Sequence, residues 1–157
     1  KTREVLNWEY APHLGRTAEQ AIGAMEDRLT FIRQSPSDYE IALPLYEIAS
    51  FVHGEGYYRG LSLAARRAQI DRFKELHDQL YPRLRIYLFD ARRLFSSPIT
   101  VFGPLLAALY VGRDYLTFRD RERVAALTQH FDALVREAHI TARDFPDHLD
   151  ALAADRP

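Results

Sequence analysis

Charged residues follow a predicted strand in the second half of the chain. The apolar run at residues 84–89 predicts a buried strand, and Asp90, Arg92 and Arg93 come directly after it. Polar residues at the carboxyl end of a strand are where α/β sheets place their ligand sites. Asp90 can accept a hydrogen bond from a ligand amine, and the arginines can hold a carboxylate or a phosphate. The competing interpretation is that these side chains are solvated or paired with one another.

A glycine-rich segment at residues 53–60 carries a second group of candidates. Its glycines, at positions 54, 56 and 60, allow positive φ angles or a close approach to a ligand. Their spacing fits neither GxxxxGK[ST] nor GxGxxG, so a nucleotide-binding loop is not predicted. Tyrosines with an apolar ring and a polar tip suit a ligand cleft. The candidates in this segment are Tyr57, Tyr58 and Arg59. The alternative is a surface connection with packed tyrosines.

Two further candidates come from the predicted strands near the end of the sequence. Tyr110 lies in one of them, and Arg119 follows the next. Both belong to the predicted ligand-binding set. Together with Arg92 they are also the residues on which an unconventional hydrolase or transferase site would depend, since arginine can hold an anionic substrate group.

The familiar reactive arrangements are missing from the sequence. There is no cysteine, and the six histidines form no HExxH or HxH pattern, so no metal site is predicted. Ser96 and Ser97 do not stand in a GxSxG elbow. His130 is either an acid/base residue or a residue at the edge of the core. We therefore expect no catalytic residues, no metal and no cofactor.

Composition sets the class of protein. The 157 residues fit one domain, and 47% of them are apolar, which is enough for a substantial core. The 21 Lys and Arg residues nearly balance the 22 Asp and Glu residues, which argues against a nucleic-acid-binding surface over the whole molecule. No apolar run approaches the roughly 20 residues of a membrane span. No signal peptide is visible, and a cytoplasmic location is expected.

The elements that must position these residues follow from periodicity. Apolar residues spaced by three and four predict three main helices, at about 17–34, 62–80 and 121–138, and a short last helix near 147–153. Strands are expected at 39–45, 84–89, 99–102, 105–111 and 115–118, with a turn at 112–114. Pro44 indicates that the first is an edge strand or contains a bulge or a break, and residues 46–51 are either strand or a helical turn. The predicted fold is α/β, with α+β as an alternative: a mixed, partly antiparallel sheet of about five strands packed by the three helices.

The stretch from Ala65 to Ala138 resembles a known family. It contains ARRAQI (65–70), LRIYLFD (84–90), PITVFGP (98–104), ALYVG (108–112), YLTF (115–118) and HFDALVR (130–136), and covers about half of the chain. This resembles the C-terminal region of bacterial regulators with an Xre-type helix-turn-helix at the N-terminus. The order of elements is also similar to one half of a phospholipase D-like protein. That family needs HxKxxxxD, which is absent, so this second similarity implies a non-catalytic relative.

The resemblance implies a function and a division of the chain. We expect a single domain over 1–157: a connector (1–16), a sensor and dimerisation core (17–140) and a C-terminal helical extension (141–157). It would couple a small-molecule effector, or a homodimer contact, to DNA bound by a helix-turn-helix outside this chain. The stripe of Ala18, Ile22, Met25, Leu29 and Ile32 is either a dimer seam or packed internally. The alternatives are the hydrolase or transferase, and a bare protein-interaction module.

Overall fold

Six helices and five strands are formed by the residues described. The computed structural model describes residues 1–10, 18–111 and 114–155. The helices are α1 (Arg3–Glu9), α2 (Ala18–Gln34), α3 (Leu45–His53), α4 (Leu63–Leu80), α5 (Arg121–Arg136) and α6 (Phe145–Ala154), with a 3-10 turn at Gly56–Tyr58. The strands are β1 (Tyr39–Pro44), β2 (Leu84–Phe89), β3 (Ile99–Phe102), β4 (Leu106–Val111) and β5 (Asp114–Phe118). This confirms the mixed α/β class.

The strands form two sheets, whereas the sequence predicted one mixed sheet. β1 and β2 pair in parallel, and the chain between them passes through α3 and α4. β3, β4 and β5 form an antiparallel sheet in that order. The loop at residues 90–98 joins the two sheets, and α5 contacts both of them. Hydrophobic patterning predicts that a segment is a strand, but it does not say which strands pair.

The main core lies between the β1–β2 pair and the helices. Its fully buried members include Leu88 of β2, together with Phe145 and Leu149 of α6. Phe89 points to the opposite side of β2 from Leu88, because side chains alternate along a strand. Phe89 shares a cleft with α5. One side of β2 therefore faces the helical core, and the other faces α5.

The N-cap residues predicted for α4 and α5 cap these helices in the structure. Ser62 caps α4 by accepting a hydrogen bond from Ala65 N at 3.1 Å, and Asp120 caps α5 by accepting one from Arg123 N at 2.9 Å. The predicted cap of α2 at Thr17 lies outside the described residues, as do residues 112 and 113 of the predicted turn.

Two segments differ from the predictions. Residues 1–16 were expected to be a connector, but Arg3–Glu9 form a helix whose Val5 and Leu6 are buried. Its seven residues are too few to show a clear helical period, which is why the sequence concealed it. The predicted strand at 39–45 ends at Pro44, and α3 begins at Leu45. Proline has no N–H for the ladder, and its fixed φ suits a helix start.

Four residues of the apolar stripe of α2 pack within the chain: Ile22, Met25, Leu29 and Ile32. Ile22 contacts the cluster around Leu6 of α1, while Ile32 packs with Leu76 and Leu80 of α4. Ile22 and Ile32 are both buried in the isolated chain. Internal packing was one of the two interpretations of this stripe, and it uses the residues that a dimer seam would need.

Candidate functional site

The carboxyl end of β2 turns sharply into the 90–98 loop. The Asp90 carboxylate accepts a hydrogen bond from Arg92 N at 2.9 Å, and the Asp90 carbonyl accepts from the N–H groups of Arg93 and Leu94 at 3.0 and 3.1 Å. Aspartate favours such turns because its short side chain can bond the backbone two residues ahead. Arg93 and Leu94, which follow this turn, line a cleft together with residues of α5.

A cleft of about 280 Å³ opens where this turn meets α5. Its lining residues are Phe89, Asp90, Arg93 and Leu94 from the strand and loop, Ala133 from α5, and Glu137 and His139 just beyond the helix. The lining combines two acidic residues, an arginine and a histidine with three apolar residues. A small ligand that carries both a positive and a negative group matches these charges. The volume is close to the lower end of ligand pockets, roughly 300 Å³.

Backbone hydrogen bonds to the centre of β2 fix the His139 wall of the cleft. The N–H groups of His139 and Ile140 both donate to the Leu88 carbonyl, at 2.8 and 3.1 Å, and Leu88 N donates to the Ile140 carbonyl at 3.0 Å. Leu88 has no exposed surface. The position of His139 is therefore held by the most buried strand of the domain. His139 is close enough to His148 of α6 to contribute to lowering the pKa of that residue, for which burial is the larger cause.

The far end of the loop is bound to α5 by a side-chain contact. His130 Nε2 lies 3.0 Å from Ser96 Oγ, and Ser96 Oγ donates to the Ser97 carbonyl at 2.9 Å. The contact fastens the loop to the helix about one turn from Ala133.

The predicted residues of the glycine-rich segment lie on the helical side of the molecule. Tyr58 is buried in the main core, with its ring edge-on to Phe51 at 4.9 Å. Burial, with Glu47 and Glu9 nearby, raises the pKa of its phenol. Tyr57 is exposed and lies edge-on to Tyr58 at 5.2 Å. Arg59 is also exposed.

The glycines at positions 54 and 60 allow neighbouring side chains to pack closely against the backbone of this segment. Gly54 has a φ of 72°, and a Cβ atom at this position would lie 2.8 Å from the guanidinium carbon of Arg66. Arg66 donates to the carbonyls of Val52 and Leu61, which ties α4 to both ends of the segment. Gly60, with a φ of 95°, lies against the Trp8 ring of α1. These contacts match the alternative of a packed surface connection.

The remaining candidates divide between the cleft and the antiparallel sheet. Asp90 lines the cleft. Arg92 and Arg93 are both exposed, and only Arg93 is among the lining residues. Tyr110 pairs with Tyr115 across the β4–β5 ladder, while Arg119 follows the end of β5. Four strand positions, about 13 Å, separate Tyr115 from Arg119. The register therefore keeps Tyr110 and Arg119 at opposite ends of the hairpin.

Sequence reasoning missed three of the cleft residues. Arg93 was considered with Arg92 as a possible holder of a carboxylate or a phosphate but was not among the predicted site residues, and Glu137 and His139 were not singled out. Their signal was their place just after the clearest amphipathic helix, but only tertiary packing brings the end of α5 to the end of β2. Among the described residues, no group of three or more histidines and acids is placed to hold a metal ion.

No described helix combines the length and the apolar character needed to cross a membrane. Compared with known proteins, the chain matches no protein-family model, no curated protein and no solved structure.

Proposed function

We propose that this chain is a sensor and dimerisation domain of a bacterial transcriptional regulator, and that it binds a small ligand in the cleft between the 90–98 loop and α5. The observation that carries the ligand-binding part is the lining of this cleft. Asp90 and Glu137 supply negative charge and Arg93 supplies positive charge, on walls that come from separate elements. Converging polar groups over an apolar floor are typical of ligand sites.

The charges of the cleft favour a zwitterionic ligand. Arg93 presents a guanidinium group that can bond a carboxylate with two parallel hydrogen bonds. Asp90 and Glu137 can accept hydrogen bonds from an ammonium group. Phe89, Leu94 and Ala133 provide apolar surface for a short side chain. A free amino acid or a related small amino-carboxylate is the chemical class that satisfies all three features.

Helix α5 is the element through which binding would be transmitted. It supplies one wall of the cleft and contacts both sheets. The 90–98 loop and α5 can adopt more than one arrangement. A ligand that binds one arrangement more tightly than the other shifts the population toward the first. If the two arrangements also differ in the contact between subunits, ligand binding and DNA binding by the attached units are thermodynamically coupled.

The regulator part of the proposal rests on the sequence resemblance to Xre-type regulators. In such an arrangement DNA is bound by a separate helix-turn-helix, and this chain supplies the sensing and pairing functions in the cytoplasm. The near balance of charge supports this division of roles, since DNA-binding surfaces carry a clear excess of Lys and Arg.

The ligand-binding part can be tested with two neighbouring arginines. Thermal stability is measured with the twenty amino acids and a set of small carboxylates and amines, for the wild type, Arg93→Ala and Arg92→Ala. We expect a zwitterionic compound to raise the melting temperature of the wild type and of Arg92→Ala. Its dissociation constant should rise at least tenfold in Arg93→Ala, because one charge-assisted contact is lost.

Arg92 is the matched control, since it is adjacent to Arg93 and exposed like it, but is not part of the lining. Equal loss of binding in both variants, or stabilisation by none of the compounds, would count against a ligand site in this cleft. The Glu137→Gln variant tests the opposite wall, and the same compound should bind it more weakly.

A further inference from the structure

The charged residues that line the cleft are unequal in number. Asp90 and Glu137 are acidic and Arg93 is basic, while His139 is counted as neutral, as in the net charge of the chain. None of the ion pairs that the described residues form includes Asp90, Arg93 or Glu137. One acidic residue therefore remains after the acidic and basic residues of the lining are matched.

Asp90 and Arg93 belong to the same turn. The carbonyl of Asp90 accepts a hydrogen bond from Arg93 N at 3.0 Å, and the Asp90 carboxylate accepts one from Arg92 N at 2.9 Å. A carboxylate has about four lone-pair sites, so this contact leaves room for further donors. An acid and a base in one turn suit the head group of an amino acid, whose ammonium and carboxylate groups are attached to the same carbon atom.

Glu137 lines the cleft from a different element. It follows the last residue of α5, and its N–H donates to the carbonyl of Ala133, one helical turn earlier. Ala133 is also a lining residue. The carboxyl end of a helix carries partial negative charge, which favours a positive group nearby. The Glu137 side of the cleft therefore favours a second cationic group, separate from the head group.

The remaining lining residues are apolar and come from both sides of the cleft. Phe89 is buried, whereas Leu94 and Ala133 are half-buried. The methylene groups of a lysine-like side chain pack well on such surface while the charged end stays in polar surroundings. A short stem of methylene groups that ends in an ammonium group matches this lining.

Two arginines that adjoin the lining residues in sequence lie outside the lining. Arg92 is next to Arg93 and Arg136 is next to Glu137, and both are exposed. They reduce the net charge of the surrounding surface, but exposed charges interact weakly because water and salt screen them. A preference for a cationic group must therefore come from direct contact with Glu137, which makes this the residue to test.

We propose that the ligand of the cleft is a basic amino acid: its carboxylate binds Arg93, its α-ammonium group binds Asp90, and its side-chain ammonium group binds Glu137. A neutral amino acid leaves Glu137 without a partner, and a diamine leaves Arg93 without an anion. This inference rests on the ligand-binding part of the proposed function, for which it names the class of ligand, and is independent of the regulator part.

The test compares compounds that differ by one charged group. L-Ornithine and L-lysine carry all three groups. L-Norvaline and L-norleucine lack only the side-chain ammonium group, and putrescine and cadaverine lack only the carboxylate. Binding to the full chain is measured by isothermal titration calorimetry at pH 7.5. We expect the tighter-binding basic amino acid to bind about tenfold more tightly than either of its own analogues, because each analogue loses a charge-assisted contact.

Variants assign the side-chain contact to one residue. In Glu137→Gln the dissociation constant of the basic amino acid should rise about tenfold, while that of its neutral analogue changes by less than about twofold. Arg136→Ala is the matched control, since Arg136 is adjacent and exposed but is not a lining residue. It should change neither constant by more than about twofold. Far-UV circular dichroism and the melting temperature establish that each variant is folded.

The outcomes separate this inference from the proposed ligand site. A neutral analogue or a diamine that binds as tightly as the basic amino acid would overturn the inference and leave the ligand site standing. So would a basic amino acid whose affinity is the same in Glu137→Gln and in the wild type. If none of these compounds binds and none of the wider set raises the melting temperature, the ligand site itself is refuted, and this inference with it.

Discussion

The imidazole Nε2 of His130 lies 3.0 Å from Ser96 Oγ and fastens the end of the 90–98 loop to α5. The start of the same loop is fixed by the Asp90 turn, so its two ends have independent supports. The cleft lies between them, and Leu94, one of its lining residues, is two positions from Ser96. The contact therefore stabilises one shape of the proposed ligand site.

Ser96→Ala should lower the free energy of unfolding by about 1 kcal/mol, the usual net value of a neutral hydrogen bond. Ser97→Ala is the control, since only its backbone carbonyl takes part in the contact. Urea denaturation measures both. Hydrogen exchange of residues 90–98 should become faster in Ser96→Ala and in His130→Ala. If the losses in the free energy of unfolding caused by Ser96→Ala and His130→Ala add fully in the double variant, the two side chains do not interact as described.

Replacing Gly54 or Gly23 by alanine should have opposite effects on the stability of the protein. Gly54→Ala forces a Cβ atom against the Arg66 guanidinium at a φ of 72° and should cost at least 1–2 kcal/mol, roughly the price of left-handed backbone for an L-residue. Gly23 lies within α2, and a Cβ atom there would meet nothing within 4 Å. Gly23→Ala should therefore stabilise the protein by about 0.5–1 kcal/mol. Thermal denaturation of both variants checks these signs.

Gln69 holds the first helix on the body of the protein. Its Oε1 accepts a hydrogen bond from Thr2 N at 2.6 Å, and its side chain is buried. Gln69→Ala leaves Thr2 N without this partner and should loosen α1. Trp8, the sole tryptophan of the chain, lies on that helix and reports its docking. We expect stronger acrylamide quenching of Trp8 fluorescence than in the wild type.

Gln79→Ala is the control for this measurement. Gln79 bonds Glu75 and Arg33 at the surface, near the other end of α4. Its removal should leave the quenching of Trp8 unchanged. Equal quenching in the wild type and Gln69→Ala would mean that α1 is held by its apolar contacts alone, chiefly buried Val5 and Leu6.

The sequence predicted most elements of the fold because their patterns are local. The stripe of α5 is an example: Val124 and Leu134 are buried as its spacing requires. The strand at 84–89 was found with its observed bounds, since its apolar run is bounded by turn residues. Segments with competing signals were harder to predict. In residues 39–52 the alternating pattern continues up to Leu45, and Pro44 marks the change from strand to helix.

The candidate site was less predictable because its residues meet only through tertiary packing. Asp90 could be named from its position after a strand. Arg93 and Arg92 are chemically identical neighbours, and only the turn at Asp90 decides which one lines the cleft. Tyr58 is of a residue type that suits a ligand site, but it is buried in the helical core. Residue type indicates what a side chain can do, whereas packing determines whether a ligand can reach it.

The final prediction concerns stability at mildly acidic pH. Burial lowers the pKa of His148 below its ordinary value of 6.5, and the neighbouring His139 lowers it further. The unfolded chain therefore binds this proton more tightly than the folded chain does. The free energy of unfolding should be unaffected by this group well above pH 6.5 and should decrease as the pH falls below that value. Urea denaturation between pH 7.5 and 5.5 measures the decrease.

Two variants assign this effect to the histidine pair. In His148→Gln the decrease should become shallower, because the titrating group is gone. In His139→Gln the pKa of His148, followed by NMR, should rise toward its ordinary value, since one nearby positive charge is removed at low pH. A pKa of His148 at or above 6.5 in the wild type would contradict the prediction, as its imidazole would then be no harder to protonate in the folded protein than in the unfolded chain.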